Sequence, residues 1–225
     1  SAASDVYKRQ TGMNIKTTVE DGLEYGDPVM LIDRRRRETY TVLRAGKVMN
    51  LNGNVLNHDD IVGRPDGDRV ESIKGNAYKV FRATLQQHVL NMQRYATIIY
   101  PKDVAAILMH ADIGPGLRVV EGGLGSGSLA MAMLRAIGPM GHLVTYEIKQ
   151  DAINCSRKNI STYLGPIDNH TIHLRDIYLG IEERGVDRVI LDVPEPWQVV
   201  PHAVASLADG GLFAAVSYTH LTLPT

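Results

Sequence analysis

The chain has 225 residues, a formal net charge of −1 and a single cysteine, Cys155. Its length accommodates one large domain, or a large and a small one, with a sizeable core. The charge excludes a protein that binds nucleic acid through an overall positive charge, but a local basic patch remains compatible with it. One cysteine excludes an intrachain disulfide, no apolar run approaches the ~18 residues of a membrane span, and no signal-peptide pattern opens the sequence. We therefore expect a cytoplasmic protein without a membrane segment.

The two ends differ in composition from their neighbours. Residues 1–12 (SAASDVYKRQTG) and 217–225 (SYTHLTLPT) resemble translated adapter or read-through sequence, so we predict non-native tails there and a native start at Met13. Between the tails we predict three parts, namely a small β domain at 13–75, a linking helix and lid loop at 76–103, and an α/β domain at 104–216.

The small domain opens with two β-rich runs, residues 27–32 and 39–43, joined by a polar link. That link contains Asp33 and four arginines at 34–37, a composition that predicts a hairpin turn. Further turns are indicated at Asn52-Gly53 and at 65–67. The arginines suit either a phosphate-binding tip or a solvated hairpin end, and the sequence alone favours the solvated end.

A helical pattern follows the β domain. Apolar residues recur at helical spacing over residues 77–94, which predicts a helix there. After it, Pro101 constrains Tyr100 to an extended conformation, and Asp103 is expected to cap a helix at 104–109. Tyr100 would then lie on a loop ahead of the core sheet, either as part of a lid over a ligand or as a packing aromatic.

The most informative stretch is residues 117–128, LRVVEGGLGSGS. A short apolar run ends in Glu121, glycines follow at four positions, and an apolar helical pattern occupies 129–137. This is the strand, turn and helix start of a nucleotide-binding α/β fold, in which glycine permits positive φ and close approach of a ligand to the backbone. The helix N-terminus adds unpaired N–H groups. The order E-x-G-x-G-S-G resembles motif I of S-adenosylmethionine (AdoMet) methyltransferases more than the G-x-G-x-x-G of dinucleotide folds.

Two further strands are predicted to end near an acid. Glu147 ends an apolar run 20 residues beyond Gly127, where nucleotide folds place a carboxylate on the ribose hydroxyls. Asp176 follows the next strand, where these folds place a carboxylate near the adenine amino group. His170 and His173 suit the surface of that strand better than a metal site, and we predict no metal.

A third acid, Asp192, follows the apolar run 189–191 and opens the loop D-x-P-x-P. A buried strand delivers such a residue to the carboxyl edge of the sheet, where ligands bind. The loop resembles motif IV of methyltransferases that act on amino groups and ring nitrogens of nucleic acids. We therefore interpret Asp192 as catalytic in preference to a capping residue.

Motif I, the D-x-P-x-P loop, residues 99–103 (IYPKD) and residues 58–63 (HDDIVG) together resemble the tRNA (adenine-N1)-methyltransferases, over about residues 20–216. The resemblance implies an α/β, Rossmann-like AdoMet-dependent methyltransferase fold preceded by a small β domain. Strands that usually follow Gly211 in that family are absent, so the resemblance also implies a fold truncated at its C-terminal end.

The same resemblance implies AdoMet as cofactor, adenosine 58 of the tRNA T-loop as substrate, and a homotetramer. Asp192 and Tyr100 would be catalytic and hold the target adenine, with Asp192 accepting a hydrogen bond from its amino group. The implied cofactor-binding residues are Glu121, Gly123, Leu124, Gly125, Ser126, Gly127, Ser128, Leu129, Glu147, Asp176 and Asp192.

Other functions stay open at this point. A non-catalytic tRNA-binding subunit of such an enzyme would tend to lose the motif I glycines or the motif IV acid, and this chain keeps both. A nicotinamide-dependent oxidoreductase shares the glycine turn and Glu147 but does not explain the loop after Asp192. A protein isoaspartyl methyltransferase shares the core but not the N-terminal domain.

Overall fold

A computed structural model describes residues 22–216, which form two compact units, residues 22–92 and 93–216. The tails predicted at 1–12 and 217–225 lie outside the described residues, as does Met13. The domain limits inferred from the sequence stay predictions. Within the described part of the chain, no helix is both long and apolar enough to cross a membrane.

The first unit is built from six short strands. They are β1 (Pro28–Asp33), β2 (Glu38–Val42), β3 (Val48–Leu51), β4 (Asn54–Asn57), β5 (Arg69–Glu71) and β6 (Ala77–Arg82). Four of them form an antiparallel sheet in the order β2-β1-β6-β5, and β3 pairs with β4 in a separate hairpin. The hairpin predicted across residues 33–37 is confirmed. So is the turn at Asn52-Gly53, where both residues have positive φ, as a type I′ turn requires.

The helix predicted over residues 77–94 is wrong in its first part. Strand β6 occupies that part, and only Leu85–Asn91 form a helix, α1. Tyr78 and Val80 are buried while Lys79 is exposed, which is the period of two that a strand in a half-buried sheet requires. Pairing of β6 with β1 therefore outweighs the helical spacing of its apolar residues.

The start of α1 is set by a capping box that the sequence reasoning missed. Thr84 Oγ1 accepts a hydrogen bond from the Gln87 backbone N–H at 3.2 Å, and Gln87 Oε1 accepts one from the Thr84 N–H at 2.9 Å. Two N–H groups that lack helical partners are thereby satisfied. The pair Thr84-x-x-Gln87 was the available signal.

The second unit contains a five-stranded parallel sheet. Its strands are β7 (Arg118–Gly122), β8 (His142–Glu147), β9 (His170–Leu174), β10 (Val186–Leu191) and β11 (Leu207–Ala215). They lie in the order β11-β10-β7-β8-β9, and every pairing is parallel. From β7 the chain adds β8 and β9 on one side, and it then crosses over to add β10 and β11 on the other side. The junction between β7 and β10 is therefore the switch point at which open α/β sheets bind ligands. The predicted Rossmann-like fold is confirmed.

Four helices accompany this sheet, namely α2 (Pro101–His110), α3 (Ser128–Ile137), α4 (Gln150–Leu164) and α5 (Val200–Ser206). The apolar pattern predicted after the glycine turn forms α3 and is buried. The cap predicted at Asp103 is wrong, because α2 begins at Pro101, whose fixed φ suits the first helical position. Tyr100 is extended as predicted, with φ −72° and ψ 153°.

The capping box yields a stability prediction. Thr84→Ala should lower the free energy of unfolding by about 1 kcal/mol, because the Gln87 N–H loses its acceptor at the helix start. Gln86→Ala is the matched control, since Gln86 is exposed in the same turn, and it should change stability by less than about 0.5 kcal/mol. Urea unfolding of both variants checks this, and equal effects would contradict the capping role.

Candidate functional site

A cavity of about 690 Å³ lies at the carboxyl edge of the parallel sheet. Its volume falls within the range of small-molecule and cofactor sites. Its lining includes the glycine turn after β7, the acid that ends β8, the acids that follow β9 and β10, and residues 95–97. Five of the residues predicted from the sequence are in that lining, namely Gly123, Gly125, Glu147, Asp176 and Asp192.

The glycine turn touches the loop that follows β10. A β-carbon built on Gly123 would lie 2.3 Å from the Asp192 carbonyl oxygen, far inside any tolerable contact, and Gly123 has φ +90°. Gly125 also has positive φ, +54°, but a β-carbon there would meet no atom within 4 Å. Gly123 is therefore required for protein packing, whereas Gly125 leaves its side of the turn open towards a ligand.

Glu147 links the glycine turn to the end of β8. Its Oε2 accepts hydrogen bonds from the backbone N–H groups of Leu124 and Gly125, both at 3.2 Å. Its Oε1 accepts from the N–H groups of Ile148 and Lys149, at 2.8 and 3.0 Å. The carboxylate thus holds the turn in shape while it lines the cavity, at the position where the sequence predicts a ribose contact.

Glu121 lies beneath this turn and is almost wholly buried, with 1% of its surface exposed. Thr145 Oγ1 donates a hydrogen bond to its Oε2 at 2.8 Å and lies 2.9 Å from His170 Nε2, so three adjacent strands contribute to one buried polar cluster. Among the described residues, Glu121 Oε1 has no hydrogen-bond partner. Burial, together with the charges of Asp192 and Glu147, raises the pKa of Glu121 to about 8 although the hydrogen bond from Thr145 lowers it.

The pKa of His170, in contrast to that of Glu121, is lowered by its surroundings. Burial and, to a smaller extent, the charges of His142 and Arg157 lower the pKa of the His170 imidazole to about 4. A neutral imidazole therefore faces Thr145 at neutral pH. Among the described residues, no three histidine, cysteine or acidic side chains are grouped so that they could hold a metal ion.

Two predicted cofactor residues hold a neighbouring segment of chain. Ser126 Oγ accepts hydrogen bonds from the N–H groups of Tyr95 and Ala96 at 3.0 and 3.3 Å. Ser128 Oγ donates to the Ile99 carbonyl at 2.9 Å. These hydroxyls fix residues 95–99 beside the glycine turn and do not line the cavity. Leu124, Gly127 and Leu129 are likewise outside its lining.

The structure separates the two residues predicted to be catalytic. Asp192 lines the cavity, whereas Tyr100 is outside the lining, 45% exposed at the start of α2. The aromatic residues in the lining are instead Tyr95, Tyr146 and Tyr178. The ammonium of Lys149 lies 5.9 Å from the centre of the Tyr95 ring, a cation–π contact at the cavity edge.

Sequence reasoning missed the aromatic part of this wall. Tyr178 lies two residues beyond Asp176, whose Oδ1 accepts a hydrogen bond from the Tyr178 N–H at 2.9 Å. The Tyr178 hydroxyl in turn accepts one from the Glu195 N–H at 3.0 Å, which ties the loops after β9 and β10 together. The signal available in the sequence was an aromatic residue directly after a predicted strand-end acid.

These features fit AdoMet. An adenosyl group needs a backbone surface free of side chains, which the open side of Gly125 supplies, and acceptors for its hydroxyl and amino groups, which Glu147 and Asp176 supply. Its sulfonium is cationic, and the cavity has acids along its floor. A pyrophosphate would meet repulsion from the same acids.

The contrast between the two glycines gives a prediction. Gly123→Ala should destabilise the protein by about 1–3 kcal/mol more than Gly125→Ala, because both substitutions strain the backbone but only the first overpacks the turn against Asp192. Denaturant unfolding measures the difference. Equal losses would show that the turn and the loop do not meet as described.

The buried carboxyl gives a pH prediction. Glu121 keeps its proton in the folded protein up to about pH 8 but loses it above about 4.5 when unfolded. Wild-type stability should therefore fall relative to Glu121→Gln as pH rises through that window, by at most about 1.4 kcal/mol per pH unit, and the difference should level off above it.

Urea midpoints measured from pH 5 to 9 check this dependence. The control is Glu195→Gln, which removes an exposed carboxyl of the same unit and should follow the wild-type curve. A constant difference between wild type and Glu121→Gln across the whole range would contradict the buried, protonated state.

Comparison with known proteins gives the family. A family model described as "tRNA methyltransferase complex GCD14 subunit" matches residues 77–219, and one described as "TrmI-like N-terminal" matches residues 22–70. A protein named tRNA (adenine(58)-N(1))-methyltransferase TrmI from Thermus thermophilus is 32% identical over 80% of this chain and 71% of its own length. A catalytic subunit of the same name from Dictyostelium discoideum is 27% identical over 87% of this chain and 64% of its own length.

Solved structures agree in fold. A SAM-dependent O-methyltransferase from Thermotoga maritima superposes with a TM-score of 0.83 and 30% identity, covering 91% of this chain and 76% of that one. A tRNA (m1A58) methyltransferase TrmI from Aquifex aeolicus superposes with a TM-score of 0.71 and 24% identity, over 84% and 73% of the two chains. With both of its units matched by family models, the chain belongs to the TrmI-like family of tRNA methyltransferases.

Proposed function

We propose that this chain transfers the methyl group of AdoMet to N1 of adenosine 58 in the T-loop of tRNA. The observation that carries the proposal is that Asp192, the acid of the D-x-P-x-P loop, lines the same cavity as the glycine turn and Glu147. A cofactor site and a candidate catalytic acid are thereby adjacent. The names of the relatives supply the substrate.

The cavity side chains divide into those for the donor and one for the acceptor. Glu147 binds the ribose hydroxyls and Asp176 binds the adenine amino group, while Glu121, which is buried and outside the cavity lining, lies behind the methionine end. AdoMet supplies an electrophilic methyl group on a sulfonium, so the protein has mainly to align the two reactants and exclude water. The backbone at Gly123 and Gly125 forms the remaining wall of the cofactor site.

Asp192 acts on the target adenine. Its carboxylate accepts a hydrogen bond from the exocyclic amino group, which raises electron density at N1 and stabilises the positive charge that develops on the ring during methyl transfer. The same carboxylate is placed to take the amino proton afterwards. The target base must leave its stack to reach the cavity, and the ring of Tyr100, which is exposed outside the cavity lining, offers a flat apolar surface on its way there.

A second candidate is methylation of an oxygen, because the Thermotoga maritima structure carries the name O-methyltransferase. Transfer to a hydroxyl needs a base that removes the hydroxyl proton, a role open to Asp192 as well. The product separates the two functions, since one gives 1-methyladenosine and the other a methylated hydroxyl.

Assembly belongs to the same proposal. The family resemblance favours a homotetramer, whereas the name of the Dictyostelium discoideum relative, a catalytic subunit, points to a complex of unlike chains. The second unit exposes apolar side chains on α5 and β11, including Val204 and Phe213, that suit contact with another chain. Light scattering of the purified chain distinguishes a tetramer from a monomer. A tRNA substrate accords with the cytoplasmic location expected from the sequence.

The test is a single substitution read out on the product. Asp192→Asn keeps the shape of the side chain but removes the charge that faces the target amino group. We expect kcat to fall by about a hundredfold or more while AdoMet affinity stays within a few-fold. Labelled AdoMet with bulk tRNA, followed by digestion and nucleoside chromatography, gives both rate and product, and calorimetry gives the affinity.

Glu195→Gln is the matched control, because Glu195 belongs to the same loop, is exposed and bonds Gln198 at its Oε2. It should keep wild-type activity. Loss of AdoMet binding in Asp192→Asn would assign this acid to the cofactor instead of the target base, and formation of any nucleoside other than 1-methyladenosine by the wild type would overturn the proposed reaction.

A further inference from the structure

The first unit has a second cavity, which the proposed reaction does not use. Its volume is about 390 Å³, and it lies between the β1–β2 hairpin and the β3–β4 hairpin. The lining contains three arginines and three asparagines, namely Arg34, Arg35, Arg37, Asn52, Asn54 and Asn76, with Asp33, Ala77 and Tyr78 completing it.

One acid organises the arginine side of this cavity. Asp33 Oδ1 accepts hydrogen bonds from the backbone N–H groups of Arg35 and Arg37, at 2.8 and 2.9 Å, and its Oδ2 pairs with Arg37 Nε at 2.7 Å. These bonds from Arg37 and Arg35 hold the pKa of Asp33 below its usual value. Asp33 therefore fixes the hairpin and neutralises Arg37.

Arg34 and Arg35 keep their charge for another partner. Both are exposed, and neither forms an ion pair with any acid among residues 22–216. Guanidinium groups match the oxygen geometry of phosphates with two parallel N–H donors each. The backbone that carries them is already ordered by Asp33, so binding there costs less conformational entropy than in a free loop.

The opposite wall offers amides without charge. Asn76 Nδ2 donates to Asn54 Oδ1 at 2.5 Å, which joins the turn before β6 to the β3–β4 hairpin. Asn52 is exposed at the tip of that hairpin, with φ +54°. Amides both donate and accept hydrogen bonds, as sugar hydroxyls require, so this wall suits the ribose next to a phosphate.

We propose that this cavity is a binding site for the sugar–phosphate backbone of RNA, with Arg34 and Arg35 contacting phosphates and the asparagines contacting ribose. The proposal deepens the proposed function, since tRNA is the RNA that the active site requires. If residues 34–37 were only a solvated hairpin end, the three hydrogen bonds by which Asp33 fixes this turn would not be needed. A free anion would use the guanidinium groups but not the exposed amide of Asn52 on the opposite wall.

The test compares binding of bulk tRNA to two double variants of the full chain. Arg34→Gln/Arg35→Gln should raise the Kd about tenfold at 150 mM salt and lower the slope of log Kd against log salt by about 2, because two phosphate contacts are lost. The control, Arg69→Gln/Lys158→Gln, removes the same charge from exposed residues outside the cavity and should change both quantities little. AdoMet affinity should be unchanged in both.

A third variant keeps the test informative if the glutamine variant unfolds. Arg34→Lys/Arg35→Lys preserves both charges but loses the paired donors, so we expect a two- to threefold higher Kd, about 0.5 kcal/mol, with the wild-type salt slope. The proposed site would be wrong if the lysine and glutamine variants both bound tRNA with wild-type affinity. It would also be wrong if the control variant lost as much tRNA affinity as the glutamine variant.

Binding of inorganic tripolyphosphate, in competition with tRNA, distinguishes a site for RNA from a site for any anion. If the glutamine variant lost affinity for tripolyphosphate but not for tRNA, the cavity would be an anion site and the proposal would be wrong. Binding is measured without methyl transfer, so absence of 1-methyladenosine would count against the proposed function alone. Unchanged tRNA affinity in the arginine variants would count against this site alone.

Discussion

The candidate site depends on the close packing of two backbones at the switch point of the parallel sheet. The Asp192 carbonyl occupies the space where any residue other than glycine at 123 would place its β-carbon. Pairing of β7 with β10 continues to the last residue of each strand, and the Asp192 N–H still donates to the Gly122 carbonyl at 2.8 Å. The glycine turn and Asp192 are therefore held in one rigid arrangement, as the proposed alignment of two reactants requires.

The same region contains one feature that lowers the stability of the fold, the buried carboxyl of Glu121. A carboxyl with one oxygen lacking a partner among the described residues costs stability, whether it is protonated or charged. Proteins retain such costs mainly at functional sites. A cationic group beside Glu121 would reverse the cost, because it favours the ionised form that burial disfavours. The cluster with Thr145 and His170 lies outside the cavity lining, but it holds beneath the glycine turn a carboxyl whose burial a positively charged ligand nearby would offset.

Sequence reasoning succeeded where one local signal determines the structure. The glycine run, the apolar strand before Asp192 and the acid at the end of β8 each specify their own position, and parallel pairing then brings them to one edge. It failed where a distant partner decides. Residues 77–82 have helical spacing, but pairing with β1 makes them a strand. Ser126 and Ser128 belong to motif I, yet they hydrogen-bond residues 95–99, which no spacing rule reveals.

The charge distribution suggests why the two cavities differ. Asp176, Asp192 and Glu147 line the methyltransferase cavity, which suits a sulfonium but repels the phosphates of an RNA. Only an uncharged base therefore gains by entering it. A chain with a net charge of −1 has no overall attraction for a polyanion, so affinity for tRNA must come from local groups. Arg34 and Arg35, which no acid among the described residues neutralises, are local groups of this kind in the other unit.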